Sequence, residues 1–537
     1  MTVTPDVTEQ DAPAGIRSAL RELWSAPDDA RMIQQSGSWH TWGEVRALAE
    51  AITGELDRIG AGQGARVGVV LSNSMPSVAA LAAILSTGRT IVTLNPMQPA
   101  ARVARDLANS APDVVLAPRE SWSAAEFRDA VTRLAISGYS FADAALISET
   151  EAPVKQGAAK PEAATAARGT VAIEMFASGT TGAPKRIPLS WRQLDSTLAA
   201  VHARVAQPEQ RPAPLTGRVA LVTLSMVHIG GMWGVLQALS EARPFVLLER
   251  FTVEGWTAAI EEHQPRIASL PPAAMRSVLS ARVPATRLSS LRAVTAGTTF
   301  VSPDLADEFI GRYGIPVLIV YGATEFSGAV AGWTKPMHNE WWARKRGSVG
   351  RPFPGVSMRT VDASGAVLPA GEAGRLEVRS GQTVSGADGW VRTSDLAHLD
   401  DDGFLFIDGR ADDAIVRGGF KVQPEVVADA LRAHEAILDA TVYGRADERL
   451  GQVPVAVVCP RNVCTLGRGS SRQNKRGRPL RKCWRRSRSA AASARLRASS
   501  ARRTASTCRT TTAATGSPFS PIRAARGRAS IVSREDA

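Results

Sequence analysis

Ser178-Gly179-Thr180-Thr181-Gly182-Ala183-Pro184-Lys185 follows the short apolar run Val171 to Phe176, and this strand–loop junction governs how the rest of the chain is read. Two glycines let the backbone turn tightly and bring its N–H groups close to an anion. Three hydroxyl side chains supply further donors, and Lys185 adds a point charge suited to a polyphosphate. The P-loop of nucleoside triphosphatases requires Gly-Lys followed by Ser or Thr. Here Pro184 precedes the lysine and Arg186 follows it, so the loop is of another kind. The bland alternative is a surface turn of small residues.

Outward from this loop the chain alternates strands and helices. Ala65 to Leu71 is a β-branched apolar run ending at Ser72-Asn73, Val78 to Ile84 has the character of a buried helix, and Thr90 to Leu94 is a second strand. Ala100 to Ala108 reads as a helix with Pro99 placed to open it, and Asp113 to Leu116 is a third strand. The pattern recurs at Val219 to Leu224, Ile267 to Leu270, Leu291 to Thr295 and Pro316 to Val320. Continuous apolar strands separated by helices predict parallel sheets covered on both faces. From about Gly347, short alternating segments punctuated by Gly and Pro predict a small antiparallel unit. Pro424 to Ala433 then reads as a helix and Val453 to Val458 as the last strand.

The chain of 537 residues is long enough for a few domains, and its 44% hydrophobic content is ordinary for a globular protein. It has no apolar run long enough to span a bilayer, and the acidic, polar start Met1 to Ala14 is not a signal peptide, so the cytoplasm is the expected location. The net charge of +13 points at first to an anionic partner, but its distribution says otherwise. Residues 461–537 hold 20 Lys and Arg against 2 Asp and Glu, a net +18, which leaves −5 on residues 1–460. All four cysteines (Cys459, Cys464, Cys483, Cys508) lie at or beyond the end of that body, with spacings that fit neither a zinc site nor a disulfide framework.

Several ordered motifs, beginning with Ser178 to Lys185 and spanning about residues 15–460, resemble the acyl-adenylating (AMP-binding) superfamily of acyl-CoA synthetases, peptide-synthetase adenylation domains and beetle luciferases. The resemblance implies that Ser178, Gly179, Thr180, Thr181, Gly182 and Lys185 hold ATP phosphates. Tyr321-Gly322-Ala323-Thr324-Glu325 resembles the second signature, in which Thr324 meets the AMP phosphate and Glu325 helps hold Mg²⁺. A hard cation shared between carboxylate and phosphate oxygens makes chemical sense of that role. With Lys185, these two form the expected catalytic set. Gly297-Thr298 sits where the family packs backbone against adenine. Asp395, in Thr393-Ser394-Asp395, matches the aspartate that accepts from the ribose hydroxyls, and Arg410 matches a second ribose or phosphate contact. His228 and Gly230 fall in the segment bordering the acyl pocket, where Gly230, Gly231 and Gly234 would leave room for a bulky group. A lone histidine there reads as a wall or gate rather than a base. Asp412 matches the hinge, and Gly418-Gly419-Phe420-Lys421 resembles the loop that lines the pantetheine tunnel of CoA-using members.

The implied protein is thus α/β: a large N-terminal adenylation domain over 1–410, with parallel sheets flanked by helices and a small β unit. A truncated α+β C-terminal lobe over 411–460 and an Arg-rich, disordered basic tail over 461–537 follow. The implied reaction joins a small-molecule carboxylic acid to CoA at the expense of ATP, with Mg²⁺. The alternatives are an adenylating enzyme with a different acceptor and an inactive nucleotide-binding remnant with a basic tail. The resemblance fails after Pro460. Members of the family end in a domain whose Gly-Lys lysine reaches the site, and no Gly-Lys pair occurs from 461 onward. Sudden loss of pattern together with an Arg, Ser, Ala and Thr bias reads as out-of-frame translation. Nucleic acid is not an expected partner, since Trp484 and Phe519 are the tail's only aromatics.

Overall fold

The computed structural model describes residues 15–142, 145–150, 169–176, 186–202, 212–383, 389–411, 415–417, 420–432, 434, 436–447, 450–460 and 530–531. The chain divides into two units, Met1–Asp408 and Gly409–Ala537.

In the first unit, helix Ile16–Leu23 leads into the antiparallel pair β1 (Arg31–Gln35) and β2 (Ser38–Thr41). A seven-stranded sheet follows, built from β3 (Arg66–Val70), β4 (Thr90–Leu94), β5 (Val114–Pro118), β6 (Ser137–Ala142), β7 (Ala145–Thr150), β8 (Val171–Phe176) and β9 (Arg186–Ser190). Its order is β7-β6-β5-β3-β4-β8-β9, with parallel pairs inside and antiparallel partners at both edges. Strands β3 and β4 are buried at every position, as expected of a parallel sheet covered on both faces. Next, β10 (Ala220–Val222) and β11 (Phe245–Leu247) join β1 in parallel.

Two helices explain how these sheets pack. Met75–Ser86 and Ile229–Ser240 are apolar nearly all round, and such a helix is stable only when covered on every side. Both contribute to one core cluster with residues of the seven-stranded sheet and of the β1–β2–β10–β11 sheet.

A third sheet runs β12 (Ile267–Ser269), β13 (Ala293–Ala296), β14 (Val317–Ala323), β15 (Gly328–Gly332) and β16 (Arg351–Pro352). It is parallel through β14 and antiparallel thereafter. The small β unit expected from about Gly347 is the sheet β17 (Ser357–Val361), β18 (Gly374–Arg379), β19 (Val391–Leu399) and β20 (Leu405–Arg410). Its core includes Phe326, Val330, Leu376 and Val378.

The second unit carries the order β22-β21-β24-β23, from β21 (Ile415–Arg417), β22 (Phe420–Val422), β23 (Ile437–Asp447) and β24 (Gly451–Pro460). Helix Pro424–Arg432 packs on it through Ala428 against Ile415, Ala440, Val442 and Ala456. Arg432 fastens the end of this helix, donating to Glu425, Asp429, Asp439 and the Ala440 carbonyl at 2.7–2.9 Å. Of the basic tail, only Ser530–Ile531 is described, as a two-residue strand parallel to β24.

Candidate active site

In open α/β sheets, ligands bind beyond the carboxyl ends of the parallel strands. Five motif segments of the first unit fall at such ends: Ser72-Asn73 after β3, residues 177–185 after β8, Ser225 to His228 after β10, Gly297-Thr298 after β13, and Tyr321 to Glu325 closing β14. Individual contacts tie most of these ends to one another. Asn73, itself buried, donates to the Leu224 and Leu248 carbonyls at 2.9 and 2.8 Å and accepts from the Met226 amide at 2.9 Å. One side chain therefore fixes the backbone that leads into His228. A Cβ added at Gly230 would lie 3.7 Å from the Thr298 methyl, so the start of helix Ile229–Ser240 borders the 297–298 turn. Thr298 holds a left-handed backbone, φ 69°, and a Cβ at Gly297 would lie 2.9 Å from the Val320 side chain and 3.0 Å from its carbonyl oxygen. Only glycine permits that approach to β14.

Residues Ser178, Gly179, Thr180, Thr181, Gly182 and Lys185 lie outside the described residues, but the two strands that carry them do not. β8 and β9 form an antiparallel pair whose last register position is Phe176 opposite Arg186, so the ends of the segment are held side by side. Glu174 braces this hairpin. Its carboxylate accepts from Arg66 at 2.7 Å through each oxygen and from Arg186 at 2.9 Å. Burial pulls the Arg186 guanidinium below its ordinary pKa, and the Glu174 charge opposes that.

Tyr321 and Asp395 meet directly: the phenol donates to the carboxylate at 2.5 Å. Burial, reinforced by the Asp395 charge, holds the phenol well above the ordinary tyrosine pKa, so it remains a donor. Asp395 is set in place by its own backbone, whose amide donates to the Thr393 hydroxyl at 3.0 Å; that hydroxyl donates to the Leu376 carbonyl at 3.0 Å. Next to Tyr321 the chain requires glycine, because a Cβ at Gly322 would lie 2.1 Å from the Gly328 carbonyl oxygen. The chain then makes a 3₁₀ turn over Thr324–Phe326 and closes at Ser327, φ 56°, whose amide donates to the Thr324 carbonyl at 3.0 Å.

Thr324 and Glu325 are half-buried, and among the described residues neither side chain has a hydrogen-bond or ion-pair partner. No cluster of three or more His, Cys, Asp or Glu capable of holding a metal occurs among the described residues. A half-buried carboxylate such as Glu325 fits Mg²⁺, which is held by one or two carboxylates together with substrate phosphates rather than by a protein cage.

His228 caps the start of helix Ile229–Ser240; the residue reaches the surface, while neighbouring protein atoms withdraw enough water to lower its pKa. Gly231 is fixed by packing, since a Cβ there would lie 2.1 Å from the Ser225 carbonyl oxygen. Gly230 is bordered on both sides, since a Cβ there would lie 3.3 Å from the Leu224 side chain and 3.7 Å from the Thr298 methyl. Arg410 ends β20 in the second unit. Asp412, Gly418 and Gly419 lie outside the described residues, and Phe420 and Lys421 are described as backbone of β22 only.

Sequence reasoning did not single out Asn73 as an anchor, Glu174 as a brace, or Trp233. A polar residue just past a buried parallel strand is the signal that could have found Asn73. Nothing local identifies Trp233, whose indole donates to the Ser327 carbonyl 94 positions away.

Residues 21–386 match the AMP-binding enzyme family and residues 427–474 match the AMP-binding enzyme C-terminal domain. Indoleacetate–CoA ligase of Aromatoleum aromaticum (strain DSM 19018 / LMG 30748 / EbN1) is 30% identical over 458 residues, covering 82% of this chain and 87% of that protein. 4-Coumarate–CoA ligase 5 of Oryza sativa subsp. japonica is 28% identical over 447 residues, covering 80% and 81%. A solved structure of o-succinylbenzoate CoA synthetase from Bacillus subtilis, in complex with its acyl-adenylate intermediate, superposes with a TM-score of 0.67 at 21% identity. It covers 84% of this chain and 90% of that one, a likeness of fold.

Proposed function

The chain belongs to the AMP-binding enzyme family, and we propose from that footing that it is an AMP-forming acid–CoA ligase. In the first step the carboxylate of the acid attacks the α-phosphorus of ATP and pyrophosphate leaves, giving acyl-AMP. In the second, the CoA thiol attacks the acyl carbonyl, loses its proton, and AMP leaves with the bonding electron pair.

The observation that carries this reading is the Tyr321–Asp395 hydrogen bond. It joins the two segments that the family uses for phosphate and for ribose. Asp395 is assigned to the ribose hydroxyls, with Tyr321 fixing which carboxylate oxygen faces them. Thr324 is assigned to the α-phosphate, and Glu325 to Mg²⁺, which when bound neutralises phosphate charge. Gly297 and Thr298 are assigned to the adenine side. Residues 178–185, Lys185 among them, are assigned to the β- and γ-phosphates. Arg410, Asp412 and the segment 418–421 retain the ribose, hinge and CoA roles that the motifs imply.

His228 and Gly230 are assigned to the acyl side, and an aromatic acid is the proposed substrate class. The relatives named for indoleacetate and 4-coumarate support that class. No helix among the described residues is long and apolar enough to cross a membrane, and we place the protein in the cytoplasm.

The test is an acid panel of arylacetic, cinnamic and fatty acids with ATP, Mg²⁺ and CoA, read as thioester by mass spectrometry and as acid-dependent pyrophosphate exchange. The expected result is a thioester from an aromatic acid, lost in Asp395→Ala. Exchange without thioester would move the acceptor away from CoA. A chain that binds no adenine nucleotide would sink the reading.

A further inference from the structure

Helix Ile229–Ser240 begins on the acyl side of the site, at His228 and Gly230. Three residues after Gly230, on the same face of the helix, stands Trp233. Its ring is buried, 9% exposed, and its indole N–H donates to the carbonyl of Ser327. Ser327 is the residue that closes the turn carrying Thr324 and Glu325, through its own amide bond to the Thr324 carbonyl. The following glycine is moulded around the same ring. Gly328 has φ +142°, and a Cβ there would lie 3.0 Å from the indole nitrogen and 3.5 Å from the Thr197 methyl on helix Trp191–His202. The face of one helix thus borders the 297–298 turn through Gly230 and grips the 324–328 turn through Trp233.

We infer that Trp233 is a positioning residue for the phosphate side of the nucleotide site, holding the Thr324–Glu325 turn in register with the acyl-side helix. The inference rests on the ligase reading above. A carbonyl in a turn with a left-handed residue has few ways of being held, because the strained backbone persists only while its surroundings over-determine it. Removing the indole donor leaves the Ser327 carbonyl, buried under the helix, without this partner. The turn then relaxes, and Thr324 and Glu325 move with it. The adenine side has a separate close contact, Gly297 against Val320.

The test compares adenosine with AMP as calorimetric probes of the full chain and of Trp233→Phe, which keeps most of the ring's volume. The AMP-over-adenosine affinity ratio is expected to fall about fivefold or more, the effect of about one lost hydrogen bond, with adenosine affinity within twofold. Gly328→Ala, which presses on the indole from the other side, should show the same selective loss. An unchanged ratio overturns the inference. So does an equal loss of both affinities accompanied by a lower melting temperature, which would make Trp233 a packing residue only. If the unaltered chain binds neither probe, it is the ligase reading that fails.

Discussion

Glu174 shows what one side chain has to do for a loop that lies beyond it. Its side chain and that of Arg66 are 14% and 11% exposed, so the pair is largely withdrawn from water, and Arg186 shares the same carboxylate. Breaking a buried pair costs more than the pair contributes, because the remaining charge stays desolvated. Glu174→Ala strands two guanidiniums and is expected to lower unfolding stability by about 3 kcal/mol in urea titrations. Glu174→Gln, which keeps an acceptor, should lose clearly less. In the sequence Glu174 is simply a carboxylate inside an apolar strand, and Arg66 lies 108 positions upstream. Its position was legible and its partner was not, because ion pairing across a parallel sheet depends on strand order. The same holds for Tyr321 and Asp395. Each stands in a recognisable motif, but the bond between them depends on how β14 packs beside the β17–β20 sheet.

At the scale of elements, the helix Lys335–Trp341 illustrates how packing sets a titration. His338 is buried, stacked on Trp342 at 4.8 Å between ring centroids and set edge-on to Trp333 at 5.9 Å. Burial holds its pKa below the ordinary 6.5, against a smaller opposing pull from Asp307. The folded protein therefore binds a proton less readily than the unfolded chain. The stability that follows is present above pH 6.5 and is lost as pH falls from there through the folded value. His338→Phe should flatten this part of the stability–pH curve, measured by chemical denaturation between about pH 7.5 and 5. An unaltered slope would assign the acid limb to other groups. Long elements were the legible ones. Strands β3, β4 and β5, the helices at 75–86 and 100–110, and the change of texture near Gly347 follow from apolar runs and punctuation. The hairpins β8–β9 and β14–β15 were less visible, because a parallel-type strand that turns back antiparallel at a sheet edge keeps the same composition. Gly322 and Gly328 reveal the second hairpin only after the backbone approach is seen.

For the whole molecule, charge and chemistry divide at the same place. Residues 1–460 carry −5 and the remaining 77 carry +18, with no Gly-Lys pair among them. Preorganised positive charge at a reacting centre is often worth about 10²–10³ in rate. This chain is accordingly expected to bind ATP with ordinary affinity while exchanging pyrophosphate about 10²–10³ more slowly than a relative carrying that lysine. Equilibrium ATP binding set against exchange rate on the same preparation decides it, and exchange at a relative's full rate would refute the expectation. The anchors of helix Ile229–Ser240 have a wider consequence. Asn73 grips carbonyls and an amide of residues 224, 226 and 248, and Trp233 grips the carbonyl of residue 327. Every partner is main chain, so none of those four positions must keep a particular side chain for the grip to hold. If the turn between the anchors is the acyl side, as proposed, its residues can change while the main-chain anchors keep their register, a route to new acids that does not pass through loss of ATP binding.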